Sequence, residues 1–256
     1  MSRPDLLAAQ AASLLATRRR NGTQGSRLPE SLRPQNVDEA LAIQTGVSAE
    51  LGEGIGGWKC GLTPDVPVVM APVHAGTIHT GSPCPARTQA GQVRVEPELA
   101  FILGRDLPPR DTPYSAEEID AAIAHVRLAL ELIGSRYDDH ASAGYLDNLA
   151  DGLLNQGMLL GPEIKDAELE RFTVRVRTQE GDERVLEGRH PNGNPRAPLY
   201  WLAEFLRGRG TGLKAGQAVI TGSYAGSFDV PAGQDVVVQF GELGCISVRF
   251  TTRENA

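Results

Sequence analysis

The sequence predicts an α+β fold in which a helical N-terminal segment, residues 1–53, precedes a strand-rich domain, residues 54–256. Three observations carry that expectation. Leu6, Leu7, Ala11, Leu14 and Leu15 recur at helical spacing; from Gly54 the chain turns to glycine, proline and β-branched residues; and Val126, Leu128, Leu130 and Leu132 alternate with their neighbours as in a strand.

The first helix is expected over residues 4–20. Its end is marked by Arg18, Arg19 and Arg20, because cations complement the macrodipole at a helix C-terminus; a phosphate-binding patch is the other reading of that run. A polar, turn-rich loop follows from Asn21 to Ser26. Asn36 and Glu39 have the layout of a capping box and open a second helix. Val93 to Leu103 reads as a strand between Gly91 and Gly104. Ser115 and Glu118 form another capping-box pattern, opening a helix towards His125, after which the alternation builds a strand carrying Glu131. Further strands are expected at 172–178 and 183–188, joined across Gly181-Asp182, and at 217–221, 234–240 and 244–251, with a helix around Pro198 to Arg207 among them. There is no internal repeat or low-complexity tract.

Composition narrows the class. With 41% hydrophobic and 22% charged residues in 256, the chain can bury a substantial core and is neither disordered nor fibrous. A net charge of -7 gives no electrostatic footprint for nucleic acid. Cys60, Cys84 and Cys245 are odd in number and hold no C-x-x-C pair, so neither a disulfide framework nor a thiolate zinc site is expected and a reducing, cytoplasmic setting fits. No stretch approaches the ~20 apolar residues that cross a bilayer, and the N-terminus does not read as a signal peptide. The expectation is a soluble, unprocessed protein without membrane or nucleic-acid partners.

The chemistry concentrates in Val95-Glu96-Pro97-Glu98-Leu99. In a strand Glu96 and Glu98 share a face, and two close carboxylates repel unless a cation stands between them; hard divalent ions such as Mg²⁺ or Mn²⁺ prefer such oxygens. The bland alternative is the solvated face of an edge strand, which Pro97 also suits. Glu131 shifts the balance. It lies among Leu128, Leu130, Leu132 and Ile133, where an ionised carboxylate is costly without a partner, and a third metal ligand would explain it.

Gly57-Trp58-Lys59-Cys60-Gly61-Leu62-Thr63 and the run from Val95 to Pro108 resemble the 2-oxopent-4-enoate hydratase and 4-oxalocrotonate decarboxylase family, within the fumarylacetoacetate hydrolase superfamily. The resemblance continues in order through Ala129 to Arg136, Ala150-Asp151, Gly157 to Gly161, Trp201-Leu202-Ala203 and Leu213 to Gly222. It implies a mixed β-roll-like core and a metal-dependent lyase, hydratase or decarboxylase, acting on a small unsaturated 2-oxo acid in aromatic-compound catabolism. It implies Mg²⁺ or Mn²⁺ held by Glu96, Glu98 and Glu131, with Lys59 beside the metal as catalytic and substrate-binding residue. Leu62, Gly222 and Ser223 are the further substrate-binding candidates. A homo-oligomer is implied, with association with a pathway enzyme as a further possibility.

The chain departs from the family at one place. Hydratases carry a Glu-Pro-Asp-like segment after the lysine motif, its acid assigned to proton transfer, whereas this chain reads Met70-Ala71-Pro72-Val73-His74. His74, or else His79, is the candidate base in its stead. Two other readings stay open: a hydrolase cleaving the carbon–carbon bond of an acylpyruvate, and a catalytically lapsed partner subunit. Asp138, Asp139 and His140 read as a turn cluster or as support around the metal; Arg136 as half of a structural ion pair; Asp151 as an organiser of its loop. His190 to Pro195 reads as a turn.

Overall fold

Alanine and leucine at Ala11, Ala12, Leu15 and Ala16 make one side of the first helix apolar, and that side is buried. The helix is α1 (Arg3–Arg20) in the computed structural model, which describes residues 3–165 and 169–253. It ends on the three arginines. In α2 (Val37–Leu51) the Asn36 side chain accepts the Glu39 N–H at 3.0 Å, and Gly52 closes the helix in a left-handed conformation at φ 67°. Ala40, Ile43 and Val47 of α2 meet α1 in a core that both helices share with the sheets. No helix of the described residues is long and apolar enough to cross a membrane.

The strands β1 (Ile55–Gly61), β2 (Val69–His74), β3 (Ile78–His79), β4 (Cys84–Ala86) and β5 (Gln92–Leu103) come next. A short α3 (Ala116–Asp120) leads to β6 (Ile123–Ile133), α4 (Tyr145–Ala150), β7 (Asn155–Ile164), β8 (Arg171–Thr178), β9 (Glu183–Arg189) and α5 (Ala197–Gly208). Four strands follow: β10 (Ala218–Ile220), β11 (Phe228–Pro231), β12 (Asp235–Phe240) and β13 (Gly244–Thr252). One mixed sheet runs in the order β2-β1-β10-β5-β6-β7-β3, with β11 also on β5, and a second runs β4-β13-β12-β8-β9. The pairs β1/β10, β3/β7 and β4/β13 are parallel and the others antiparallel. This is the α+β architecture expected.

Both faces of the first sheet are covered. Leu99 and Phe101 of β5 and Leu128, Leu130 and Leu132 of β6 enter the main core, while Ala100, Ala129, Met158, Ala218 and Ile220 form a smaller apolar cluster on the opposite face. A strand buried on both sides reads as a nearly continuous apolar run, which is why Glu131 sits in one.

One sequence expectation is corrected, and one strand had not been foreseen. The Ser115–Glu118 capping box forms, with both reciprocal hydrogen bonds present, but its helix stops at Asp120 and does not reach His125. His125 lies in β6 opposite Ile102, because the Gly104 N–H bonds the Ala122 carbonyl and the strand ladder takes over from Ile123. The long strand β7 carried no alternation to predict it. A Cβ at its Gly161 would fall 2.5 Å from Ile246, so glycine stands where two sheets approach closely and blunts the strand pattern.

Candidate metal centre

The edge-strand reading of Pro97 fails on topology, since β5 is flanked by β6 on one side and by β10 and β11 on the other. The Pro97 carbonyl accepts the Tyr224 N–H at 2.9 Å, so the donor that proline lacks would point to the same side. There β11 pairs only up to Val95 and β10 begins at Ala100, leaving a gap filled by the turn between them. Proline is tolerated because no ladder bond is due there.

Glu96 lies directly opposite Glu131 across the β5/β6 ladder, and Glu98 is one step along the same face. Each of the three offers a carboxylate oxygen within 4.8 Å of the others. Glu98 is 2% exposed and Glu131 0%, which rules out a solvated face.

Their partners are few. The Lys59 ammonium on β1 sits 2.8 Å from Glu131 Oε1 and donates to the Leu153 carbonyl at 3.1 Å. Asn155 Nδ2 donates to the same Glu131 oxygen at 2.8 Å, and the Gly222 N–H to Glu98 Oε2 at 2.7 Å. Gly222 reaches that position at φ 133°, a backbone conformation that favours glycine. Glu131 Oε2 is buried with no hydrogen-bond partner. Burial, then the charges of Glu131 and Glu96, push Glu98 well above the usual carboxylate range; burial and Glu131 raise Glu96 as well. Burial alone would lower Lys59, but the attraction of Glu131 and Glu96 outweighs it and holds the ammonium above its ordinary value. Lys59, largely buried, thus stands against a group of three carboxylates, one of which carries an orphaned oxygen. An all-oxygen, anionic donor set of this kind fits a hard divalent ion.

The centre opens on a cavity of about 680 Å³, lined by Lys59, Arg87, Glu96, His140, Gln156 and Ser227 among others. His140 therefore lines the same cavity as Lys59 and Glu96. His74 does not line this cavity. It is buried at the end of β2, its Nε2 3.1 Å from Ser48 Oγ, and faces a different cavity. His79 is not on the lining either. Leu62 lies exposed where Asn192 holds its backbone at the end of β1, and the Ser223 hydroxyl turns back to the Gly226 carbonyl at 3.0 Å. Of the four candidates for substrate contact, the structure brings Lys59 and Gly222 to the carboxylates and leaves Leu62 and Ser223 outside.

Asn155 and the Leu153 carbonyl are contacts that sequence reasoning missed. Leu153 and Leu154 both adopt left-handed backbone, at φ 51° and 65°. That conformation costs a branched residue roughly 1–2 kcal/mol, and leucine gives no warning of it as asparagine or glycine would. The signal was the adjoining Asp151. Its carboxylate accepts from Arg136 Nε at 2.6 Å and from the Arg136 N–H at 3.0 Å, and Arg136 also donates to the carbonyl of Asn155, so this buried ion pair pins the loop. Asp151→Asn leaves the Arg136 charge uncompensated and is expected to destabilise the fold by about 3–5 kcal/mol, read from urea denaturation midpoints. A change within 1 kcal/mol, roughly the range of an exposed pair, would contradict the role assigned to it.

Two histidines give the fold an acid limit. His74 is pushed down to about 4 by burial and by Arg19 and Arg136, and His190, 1% exposed, is pushed down to about 4 by burial. Unfolded histidine titrates near 6.5, so the unfolded chain takes up these protons first as pH falls. Their contribution to stability is complete above about pH 6.5 and falls between there and pH 4, by at most about 3 kcal/mol per histidine. Denaturation midpoints across that window should drop in the native protein and drop less steeply in His190→Gln.

Residues 59–251 match the family model described as fumarylacetoacetate (FAA) hydrolase C-terminal. The chain is 28% identical to 2-keto-4-pentenoate hydratase 1 of Dechloromonas aromatica (strain RCB), over 98% of this chain and 100% of that one. It is 29% identical to the 2-oxo-hept-4-ene-1,7-dioate hydratase of Escherichia coli, over 84% of this chain and 86% of that one. The structure of 4-oxalocrotonate decarboxylase from Pseudomonas putida G7, complexed with magnesium and adipate, superposes with a TM-score of 0.81 over 98% of this chain and 99% of that one. At 18% identity this last is a likeness of fold.

Proposed function

The chain belongs to the fumarylacetoacetate hydrolase C-terminal family, and from that premise we propose that it is a divalent-metal-dependent lyase of the hydratase type, acting on a small unsaturated 2-oxo acid. The observation that carries the reading is the orphaned Glu131 oxygen among three carboxylates beside Lys59. Glu96, Glu98 and Glu131 are the residues that would hold Mg²⁺ or Mn²⁺. A bound cation of this kind supplies Lewis-acid polarisation of a substrate's keto or enol oxygen.

The chain's own residues do the rest. Gly222 N–H fixes the orientation of Glu98, and Asn155 fixes that of Glu131, so the ligand oxygens are set before any ion arrives. Lys59, anchored by Glu131 and the Leu153 carbonyl, presents an ammonium to the carboxylate of a 2-oxo acid and stabilises negative charge as it develops on O2. Among the described residues His140 is the histidine on the cavity wall, and it is the candidate to exchange a proton with a substrate bound there.

The test is an assay of the purified protein with Mg²⁺ or Mn²⁺ against 2-hydroxypenta-2,4-dienoate and 4-oxalocrotonate. Metal-dependent loss of the dienoate absorbance is expected. Carbon dioxide release from 4-oxalocrotonate would instead make the protein a decarboxylase. Pyruvate and a carboxylic acid formed from an acylpyruvate would overturn the lyase reading, and calorimetric metal binding with turnover of none of these substrates would mark a lapsed subunit.

A further inference from the structure

The arginines that end α1 do more than cap a helix. Arg18, Arg19 and Arg20 line a cavity of about 190 Å³ whose other walls carry Arg87, Arg136 and Arg253. Arg87 and Gln156 also line the metal cavity, so the two are neighbours. The six guanidinium groups are poorly compensated. Arg136 is tied to Asp151, and Glu53 is the one carboxylate on the lining among the described residues. Four of the others bond backbone carbonyls: Arg18 that of Arg136, Arg19 those of Asp151 and Asn155, Arg20 that of Glu50, and Arg87 those of Thr23 and Ser135. Carbonyl dipoles satisfy N–H groups without cancelling their charge. Among the described residues Arg18, Arg19, Arg20, Arg87 and Arg253 form no ion pair within 4.0 Å.

Several cations held this close repel one another, and removing that repulsion takes an anion. Arginine forks match the oxygens of phosphate-like ions in pairs, and the small volume excludes a polymer. His74, 3% exposed and facing the same cavity, has an Nδ1 with no hydrogen-bond partner among the described residues and adds a polar atom to its wall. We propose that this cavity binds a small, multiply charged oxyanion, of the class of inorganic phosphate, at a site distinct from the metal centre. The potential there is felt by Arg19, which burial and the adjacent Arg136 push down to about 9.

The probe is inorganic phosphate, titrated calorimetrically at constant ionic strength into the protein with and without saturating Mg²⁺ and pyruvate, a singly charged 2-oxo acid that occupies the metal centre without matching the arginine cavity. Saturable binding that persists when pyruvate is present is expected, and singly charged acetate should not displace it. Arg20→Gln/Arg253→Gln, at two exposed positions on the lining, should weaken phosphate at least about tenfold. Arg171→Gln on β8 should leave it unchanged. The pyruvate arm depends on the proposed metal centre; the variant arm does not. Circular dichroism reads folding of the double variant, and Arg253→Gln alone serves if it fails to fold. The proposal is overturned if phosphate does not saturate, if acetate competes equally, if pyruvate displaces the phosphate, or if the rim variants bind it as the native protein does.

Discussion

Replacing Glu98 with glutamine is expected to abolish metal-dependent turnover while making the metal-free protein more stable. The two effects have one cause. Glu98 is buried beside Glu96 and Glu131 and carries a strongly raised titration point, so in the absence of a cation its charge is opposed by both burial and repulsion. Glutamine keeps the shape and still accepts the Gly222 N–H, yet removes the charge. We expect the metal-free variant to gain roughly 1–3 kcal/mol in urea denaturation. Mg²⁺ should no longer raise its melting temperature, and turnover should fall at least ~10³-fold, the loss of about 4 kcal/mol of transition-state stabilisation. Proton linkage gives an independent reading. An ion that binds here competes with protons for Glu98 and Glu96, whose titration is raised, so Mg²⁺ affinity in the native protein should weaken as pH falls, with a shallower dependence in the variant. A variant that binds Mg²⁺ as well as the native protein would remove Glu98 from the ligand set.

Lys59→Met should behave in the opposite sense. The ammonium is the cation in ion-pair contact with the carboxylate group, and its side chain is 13% exposed. Its loss leaves Glu131 Oε1 with Asn155 alone and the buried negative charge uncompensated. The metal-free variant should lose about 3–5 kcal/mol of stability, the typical result of breaking a buried pair from one side. Mg²⁺ should restore much of that loss, because a divalent ion supplies the missing charge, and metal affinity should hold or rise with the competing ammonium gone. Turnover should nevertheless drop by roughly 10²–10³-fold, since the group that holds the substrate carboxylate and the developing oxyanion is absent. Glu98→Gln therefore gives a stable protein without metal, and Lys59→Met a fragile one that binds metal without working. Equal metal-free stability of Lys59→Met and the native protein would show that the 2.8 Å contact does not act as an ion pair.

Much of this was readable in one dimension. The helices capped at Asn36 and Ser115, the strand from Gln92 to Leu103 and the β8/β9 hairpin all follow local rules of capping, alternation and turn chemistry that neighbouring residues state by themselves. The order of the flanking motifs named the family, and a glutamate inside an apolar run announced that something must compensate it.

What the sequence by itself determined is the chemical inventory: three carboxylates, a lysine among glycines, an arginine-tipped helix, and an α+β chain to carry them. Only the tertiary structure decided which of these meet. The period of two placed Glu96 and Glu98 on one face, but the ladder register put Glu131 opposite Glu96, and burial of that face removed the solvated alternative. His74, a sound candidate base by type, is turned into another cavity, while His140 reaches the metal cavity from an exposed turn. Asn155 enters through two leucines in left-handed backbone that no propensity announces. Arg18 to Arg20 close a helix, as their position required, and also share a cavity with arginines from three distant segments. The physical reason is the same each time. Capping and alternation act between neighbours in the chain, whereas charge, desolvation and close approach act between neighbours in space.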